Sequence, residues 1–180
     1  MDKKPEHMTS LRGKQLVSKT HGRIAFRGVI DILEAEVIEA QVLALSEGAG
    51  EICAYLGEVL DFLRSLMAAE VKETPVSPPF LFGMNAGEIH DRIEEMDWKA
   101  MSVPSFTHGP VPARINTIRA KVREAELLSV KVFGPLDSGK AEQFYQERQD
   151  IILALNRLSG ALWWLFTQAA IGRREGQSKL

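Results

Sequence analysis

Apolar residues recur at steps of three and four along four long stretches of this chain, the spacing that places side chains on one face of a helix. The four stretches cover about residues 24–46, 51–72, 112–133 and 138–171. Gly48 follows the first stretch and Gly134-Pro135 follows the third, and both are typical helix stops. We find no alternation with a period of two and no internal repeat. The pattern predicts an all-α fold, a bundle of four long helices and one shorter helix.

The shorter helix belongs to an irregular connection, about residues 73–111, between the second and third long stretches. Prolines and glycines interrupt this connection, and within it only "AGEIHDRIEEMDWKAM" has helical character. Long connections in compact domains are commonly functional. We therefore expect this one to cover part of a site.

The size and charge of the chain limit its class. Its 180 residues suffice for one domain with its own core, so we expect a single domain, ordered over about 8–171, with flexible tails at 1–7 and 173–180. A net charge of -2 argues against broad contact with a nucleic-acid backbone. With no secretory core and no membrane-length apolar run, we expect a cytoplasmic protein without a membrane partner. Cys53 is the only cysteine, which excludes an intrachain disulfide.

Three charged residues form a stripe on the third long stretch, "INTIRAKVREAELLSVKVF". Arg119, Arg123 and Glu126 follow one another at steps of four and three. The apolar positions beside them are Ile115, Ile118, Val122 and Ala125. A solvated ladder of ion pairs commonly has this spacing. The stripe borders the core, however, and it repeats arginine, which suits polyphosphate. Both interpretations stay open on the spacing alone.

An asparagine interrupts the apolar face of the last long stretch, "DIILALNRLSGALWWL". The residues that share a helical face with Asn156 are Ile152, Leu153, Ser159 and Gly160. A buried amide without a hydrogen bond costs roughly 1–3 kcal/mol, so we expect Asn156 to have a partner. That partner is either a neighbouring helix or a ligand. Arg157 is expected to face outward or to lie between helices.

An acidic residue stands among apolar ones on the first long stretch. Asp31 lies between Ile30 and Ile32, and Gly28 and Ala35 are its neighbours at steps of three and four. Small neighbours suggest close approach by another helix or by a bulky ligand. A surface acid paired with Arg27 is equally consistent with the sequence.

These segments resemble a known family. "INTIRAKVREAELLSVKVF" and "DIILALNRLSGALWW" are similar to the carboxy-terminal half of the ATP:cob(I)alamin adenosyltransferases, most closely to the ethanolamine-utilisation type and more distantly to the propanediol-utilisation type. Arg119, Arg123 and Glu126 match the family pattern Arg-x-x-x-Arg-x-x-Glu, and residues 156–159 match Asn-Arg-Leu-Ser. "LVSKTHGRIAFRGVID" resembles the segment that ends at the family's acid in the first long helix, here Asp31.

The resemblance spans about residues 8–171 and implies a five-helix bundle of the cobalamin adenosyltransferase kind, commonly a homotrimer with sites between subunits. The implied reaction transfers the 5′-deoxyadenosyl group of ATP to the cobalt of cob(I)alamin and gives adenosylcobalamin and triphosphate. The implied ligands are ATP, Mg²⁺ and the corrinoid. A corrinoid reductase and association with a bacterial microcompartment are compatible with this family.

The resemblance also implies roles for the residues of the three motifs. Arg123 and Asn156 would hold the phosphates and ribose of ATP, and Glu126 would order that site and its Mg²⁺. Asp31 and Arg119 would form a salt bridge that borders the corrinoid.

Two further implied residues lie in irregular segments. Lys19, in "SKTHGR", would contact the triphosphate. Met101 would help to exclude the lower axial ligand of cobalt, together with other apolar residues of the connection, Phe80, Phe82, Val103 and Phe106. The larger ethanolamine-type enzymes have a cysteine-rich amino-terminal extension that is not found in these residues, so we expect no metal requirement of that kind.

The chain departs from the propanediol type in ways that keep other functions open. "VSKTHGR" retains little of its glycine-rich amino-terminal loop, and Gly160 stands where that type has an acid. One alternative is a non-catalytic bundle that binds corrinoid or ATP and delivers or senses adenosylcobalamin. Another is a scaffold without a small ligand, in which Arg119 and Arg123 would lie in solvent and Asn156 would bond only to backbone.

Overall fold

A computed structural model describes residues 4–96, 103–134 and 148–177, with side chains as far as residue 171. The helices in these ranges are α1 (Gly22–Ser46), α2 (Gly50–Lys72), α3 (Ala86–Glu94), α4 (Pro110–Phe133) and α5 (Gln149–Gln177). The predicted all-α bundle of four long helices and a shorter one is confirmed. The first two long helices begin and end within two residues of the predicted positions. The predicted start of the last, about residue 138, lies outside the described residues.

The four long helices enclose the core. α1 packs against α2 and α4, and α5 packs along α4 and also contacts α2 and α3. Ile115, Ile118 and Val122 of α4 are fully buried, as their spacing predicts. Of the helices described, none combines the length and the hydropathy that a crossing of the bilayer requires.

A small β-hairpin precedes the bundle, an element that the sequence pattern did not predict. β1 (Met8–Arg12) and β2 (Gln15–Ser18) pair antiparallel, and Gly13 adopts a positive φ of 52° in the turn between them. Leu11 is the only residue of these strands that is buried. Strands of five and four residues with one buried side chain are too short to show a period of two in the sequence.

An ion-pair cluster fixes the hairpin to the bundle. Glu70 of α2 is fully buried and accepts hydrogen bonds from Nε of Arg23 and Nε of Arg27 on α1. Arg27 also donates from Nη1 to the carbonyl of Leu11 in β1, at 2.9 Å. Because a two-stranded hairpin is marginal by itself, this cluster is what holds β1 against α1 and α2.

The short helix α3 is fixed at its start and along one face. Asn85 and Glu88 form a capping box, in which the Asn85 side chain accepts from the backbone N–H of Glu88 at 3.0 Å. Ile89 is buried, and α3 lies on α5. The irregular connection therefore places a defined helix beside the polar residues of α4 and α5.

Candidate functional site

A cavity of about 330 Å³ lies between α3, α4 and α5. Its volume falls at the lower end of the range common for small-molecule sites. The side chains of α3 in its lining are Ile89, His90 and Ile93, and those of α4 are Arg119 and Arg123. α5 contributes Asn156, Arg157, Ser159, Gly160 and Trp163. The lining thus includes three arginines and an asparagine.

The Arg119 guanidinium lies partly buried at the wall of this cavity. Its Cζ lies 4.9 Å from the ring centroid of Trp163, and its Nε donates to Oδ1 of Asn116 at 3.2 Å. Burial lowers the pKa of the Arg119 guanidinium from its usual value, and the positive charge of Arg123 lowers that pKa further. The two arginines are therefore close enough to repel each other, and an anion between them would relieve that repulsion.

Two cations of α4 pair with carboxylates of α1, whereas the two that line the cavity have no carboxylate partner among the described residues. Arg114 contacts Glu36 at 2.9 Å and also Glu39, and Lys121 contacts Glu36. In the described ranges, neither Arg119 nor Arg123 forms an ion pair with a carboxylate. The cavity therefore has an excess of positive charge that suits a polyanion.

A chain of hydrogen bonds crosses from α5 to α4 at the edge of the cavity. Nη1 of Arg157 donates to Oδ1 of Asn156 at 2.9 Å, and Nδ2 of Asn156 donates to Oε1 of Glu126 at 3.0 Å. These bonds fix the orientation of the amide. Asn156 is exposed and Arg157 is half-buried. The apolar residues on the helical face of Asn156 had suggested that Asn156 is the more buried of the two. The reason is that α3, α4 and α5 leave an open cleft at this level of the bundle.

His90 is the polar residue that α3 adds to the cavity. Its Nε2 lies 3.2 Å from Oε1 of Glu94, one turn further along the helix. Ile89 and Ile93, on the same helix, pack where α5 has Gly160 and no side chain. α3 therefore adds two isoleucines and one histidine to the lining of the cavity.

The structure brings together three of the residues that the motifs singled out, Arg119, Arg123 and Asn156. Glu126 joins them through Asn156. Arg123 is exposed, as a scaffold without a ligand would have it. The other two marks argue against a scaffold, because Arg119 is packed on a tryptophan and the Asn156 amide bonds to two side chains.

Two other predicted site residues lie elsewhere. Asp31 and Lys19 are exposed and do not line the cavity. In the described part of this single chain Asp31 forms no ion pair with Arg119, nor with Arg27, which bonds to Glu70 instead. Met101 lies outside the described residues.

The apolar residues of the connection behave in two ways. Phe106 and Val103 are among the most exposed large apolar side chains, at 89% and 81%, and Phe80 is also exposed. Phe82 instead stacks on Trp164, with ring centroids 5.3 Å apart. Phe82 is thus a packing residue, whereas the other three are accessible to a large ligand.

His90, Arg157 and Trp163 line the cavity although the sequence did not assign them to a site. His90 was unrecognised because its place depends on how α3 docks, which is a non-local contact. The signal that was available is Gly160, since a glycine inside a long helix commonly marks close approach by another element. Within the described residues no group of three or more His, Cys, Asp or Glu side chains is placed to hold a metal ion.

Comparison with known proteins finds a matching family model and similar curated proteins. The sequence model of a family described as cobalamin adenosyltransferase matches residues 1–169. A corrinoid adenosyltransferase, EutT of Salmonella typhimurium, is 30% identical over 165 residues, which cover 89% of this chain and 58% of the relative. EutT of Escherichia coli K12 is 29% identical over 165 residues, with the same coverage. The chain thus spans less than two thirds of the length of these curated relatives.

Proposed function

Since the chain belongs to the cobalamin adenosyltransferase family, we propose that it transfers the 5′-deoxyadenosyl group of ATP to the cobalt of a reduced corrinoid. The products are an adenosylated corrinoid, such as adenosylcobalamin, and triphosphate. The single observation that supports this most strongly is the cavity between α3, α4 and α5, with its oriented asparagine and with arginines that pair with no carboxylate of the described residues.

The chemistry asks for charge and position rather than for a protein nucleophile. The Co(I) centre of the corrinoid attacks C5′ of ATP, a Co–C5′ bond forms, and the C5′–O bond breaks. The electron pair of that bond leaves with the triphosphate. Arg119 and Arg123 would offset the charge that develops on this leaving group, and preorganised cations of this kind commonly give large rate effects.

Asn156 and Glu126 would position the nucleotide. We propose that Arg123 and Asn156 contact the phosphates and the ribose. Glu126, as the acceptor for Asn156, would hold the amide in one orientation. A single carboxylate beside a triphosphate also fits Mg²⁺, which is commonly bound through one or two carboxylates together with substrate phosphates.

We propose a homotrimer in which a neighbouring subunit completes the site. Asp31 and Lys19 lie outside the cavity of their own chain, and both are exposed. A salt bridge from Asp31 to Arg119, and a contact from Lys19 to triphosphate, would then form between chains. Closed cyclic assemblies reuse one such interface at every subunit pair.

The corrinoid would bind at the mouth of this site. The exposed Phe106 and Val103, with Met101 beside them in the sequence, are suited to displace the lower axial ligand of cobalt. Loss of that ligand makes Co(II) easier to reduce. The proposal includes a corrinoid reductase as electron donor, and a cytoplasmic location with possible attachment to a microcompartment.

The test is a direct assay. Purified protein mixed with ATP, Mg²⁺ and chemically reduced cobalamin should give adenosylcobalamin, followed by its absorbance spectrum and by chromatography. Arg123→Ala and Asn156→Ala should each lower kcat/KM at least about a hundredfold. Arg114→Ala removes a guanidinium from the same helix outside the cavity and should leave turnover within about twofold. Corrinoid binding without transfer would instead show a non-catalytic binding protein.

A further inference from the structure

We infer that Trp163 is a positioning residue for Arg119, which its ring holds at the wall of the cavity without cancelling the charge of the guanidinium. This inference rests on the proposed function and deepens it. A carboxylate would also hold a guanidinium, but its negative charge would offset the positive charge that a departing triphosphate needs. An aromatic ring fixes the group and leaves that charge in place.

Two neutral groups hold the Arg119 side chain. Its Cζ lies over the Trp163 ring, 4.9 Å from the ring centroid, and its Nε donates to Oδ1 of Asn116 at 3.2 Å. Among aromatic side chains the indole ring attracts a cation most strongly, through the negative face of its π-system. Neither Trp163 nor Asn116 brings a negative charge, so the guanidinium is oriented and stays cationic.

Other cations of the same helix are held differently. Arg114 lies 2.9 Å from Glu36 of α1, and Lys121 also contacts Glu36. Arg119 forms no such pair in the part of the chain that the structure describes. Burial lowers the pKa of Arg119, and the charge of Arg123 lowers it further, as expected of a cation without a counter-charge. α4 therefore pairs its cations with acids toward α1 and rests Arg119 on a ring toward the cavity.

The Trp163 ring is itself held in place from the core. Phe166 stacks on it, with ring centroids 5.2 Å apart and 18° between the planes, and Phe166 is fully buried. The imidazole of His108 lies edge-on against Phe166, with ring centroids 5.6 Å apart. Nδ1 of His108 accepts from the backbone N–H of Ser105 at 3.0 Å, which fixes that ring in turn. Since close-packed side chains have little room to move, the position of Arg119 is set by the core.

A double-variant cycle in the transfer assay tests this role. Trp163→Leu removes the ring, and it should lower kcat about tenfold while the KM for ATP stays within about twofold, because the charge of the leaving group develops in the transition state. Trp163→Phe keeps an aromatic face and should retain kcat within about threefold of the wild type. In an Arg119→Ala background, Trp163→Leu should change kcat less than about twofold, because its effect passes through Arg119.

The neighbouring tryptophan offers a matched control. Trp164 stacks on Phe82 and is not part of the cavity lining, so Trp164→Leu should leave kcat within about twofold. Far-UV circular dichroism establishes that each variant is folded. Three results would overturn the inference and leave the proposed function standing. They are an undiminished effect of Trp163→Leu in the Arg119→Ala background, no retention of kcat in Trp163→Phe, and an equal loss of kcat in Trp164→Leu.

The same variants are compared in a binding experiment that needs no turnover. Calorimetry measures their affinity for inorganic triphosphate with Mg²⁺, which bears the charge of the leaving group, and the same pattern of losses is expected. A wild-type protein that binds triphosphate but transfers nothing would overturn the proposed function, and the binding pattern would then decide the inference. A wild-type protein that neither binds triphosphate nor transfers the adenosyl group would overturn both.

Discussion

Asn156 on α5 donates its side-chain amide to the carboxylate of Glu126 on α4, at 3.0 Å. The other end of the amide accepts from Arg157, at 2.9 Å. An asparagine held at both ends presents its remaining lone pair and N–H in fixed directions. This pair therefore converts two residues on separate helices into one oriented binding group beside the arginines.

The first prediction separates the two roles of Glu126, as acceptor for Asn156 and as a negative charge near Mg²⁺. Glu126→Gln retains an acceptor but removes the charge. Its affinity for ATP without Mg²⁺ should be within about twofold of the wild-type affinity. Addition of Mg²⁺ should not increase the ATP affinity of this variant as it does that of the wild type. Glu126→Ala also loses the hydrogen bond and should weaken ATP about tenfold under both conditions. Calorimetry with and without Mg²⁺ measures both. If the two variants behave alike, Glu126 does not have two roles.

Much of the bundle was predictable because its signals are local. Apolar residues at steps of three and four fixed the helical class, and Gly48 and Gly134 marked helix ends. Arg119, Arg123 and Asn156 were predictable as a group only through the order of their motifs. Asn156 lies far from the two arginines in the sequence, and it comes close to them in space only because α4 and α5 pack side by side.

The parts that were missed depend on contacts between distant segments. The hairpin is held by Arg27 and Glu70, which lie on two other elements, and neither strand has a pattern of its own. His90 enters the cavity because α3 docks on α5 beside Gly160. The surroundings of these side chains are set by packing between distant segments, and the periodicity of the sequence does not reveal that packing.

The second prediction concerns the buried carboxylate of Glu70. It is fully buried, and both Arg23 and Arg27 bond to it, so an amide at this position leaves two guanidinium groups without the negative charge that they share. Glu70→Gln should lower the free energy of unfolding by about 3 kcal/mol. Glu73→Gln is the matched control, since Glu73 also pairs with Arg23 but is exposed, and it should lower the free energy of unfolding far less. Urea unfolding gives both values, and similar losses in the two variants would contradict the assigned role of Glu70.

The third prediction concerns Asp150, at the start of α5, which should make the stability of the fold depend on pH. Burial alone would raise the pKa of the Asp150 carboxyl, but hydrogen bonds from Arg148 and from the backbone N–H of Val76, at 2.7 Å, outweigh it and lower that pKa below its usual 3.8. Because the pKa is lower in the folded state, the ionised group stabilises the fold above the usual pKa. That stabilisation is lost as the pH falls through the folded-state value.

Asp150→Asn should therefore lower the free energy of unfolding by about 1 kcal/mol at pH 7, a modest value because the group is partly solvated. The difference from the wild type should shrink below about pH 4. Urea unfolding across this pH range measures it. Asp61→Asn, at an exposed position, is the control and should show almost no change at any pH. A constant difference down to pH 3 would exclude the carboxylate as its source.

The fourth prediction tests whether neighbouring subunits share the site. Asp31 lies outside the cavity that contains Arg123, so in the proposed trimer each chain gives Asp31 to one site and Arg123 to another. Asp31→Ala and Arg123→Ala should each be inactive alone. Co-expressed in equal amounts, they should regain about a quarter of wild-type activity, because one interface in four then has both native residues under random cyclic assembly. Arg123→Ala co-expressed with Asn156→Ala is the control: both changes fall on the same side of the interface, so no combination restores a site. Two results would mean that Asp31 does not act across the subunit boundary. One is recovery of activity in the control pair. The other is no recovery of activity in the test pair although light scattering shows that it forms trimers.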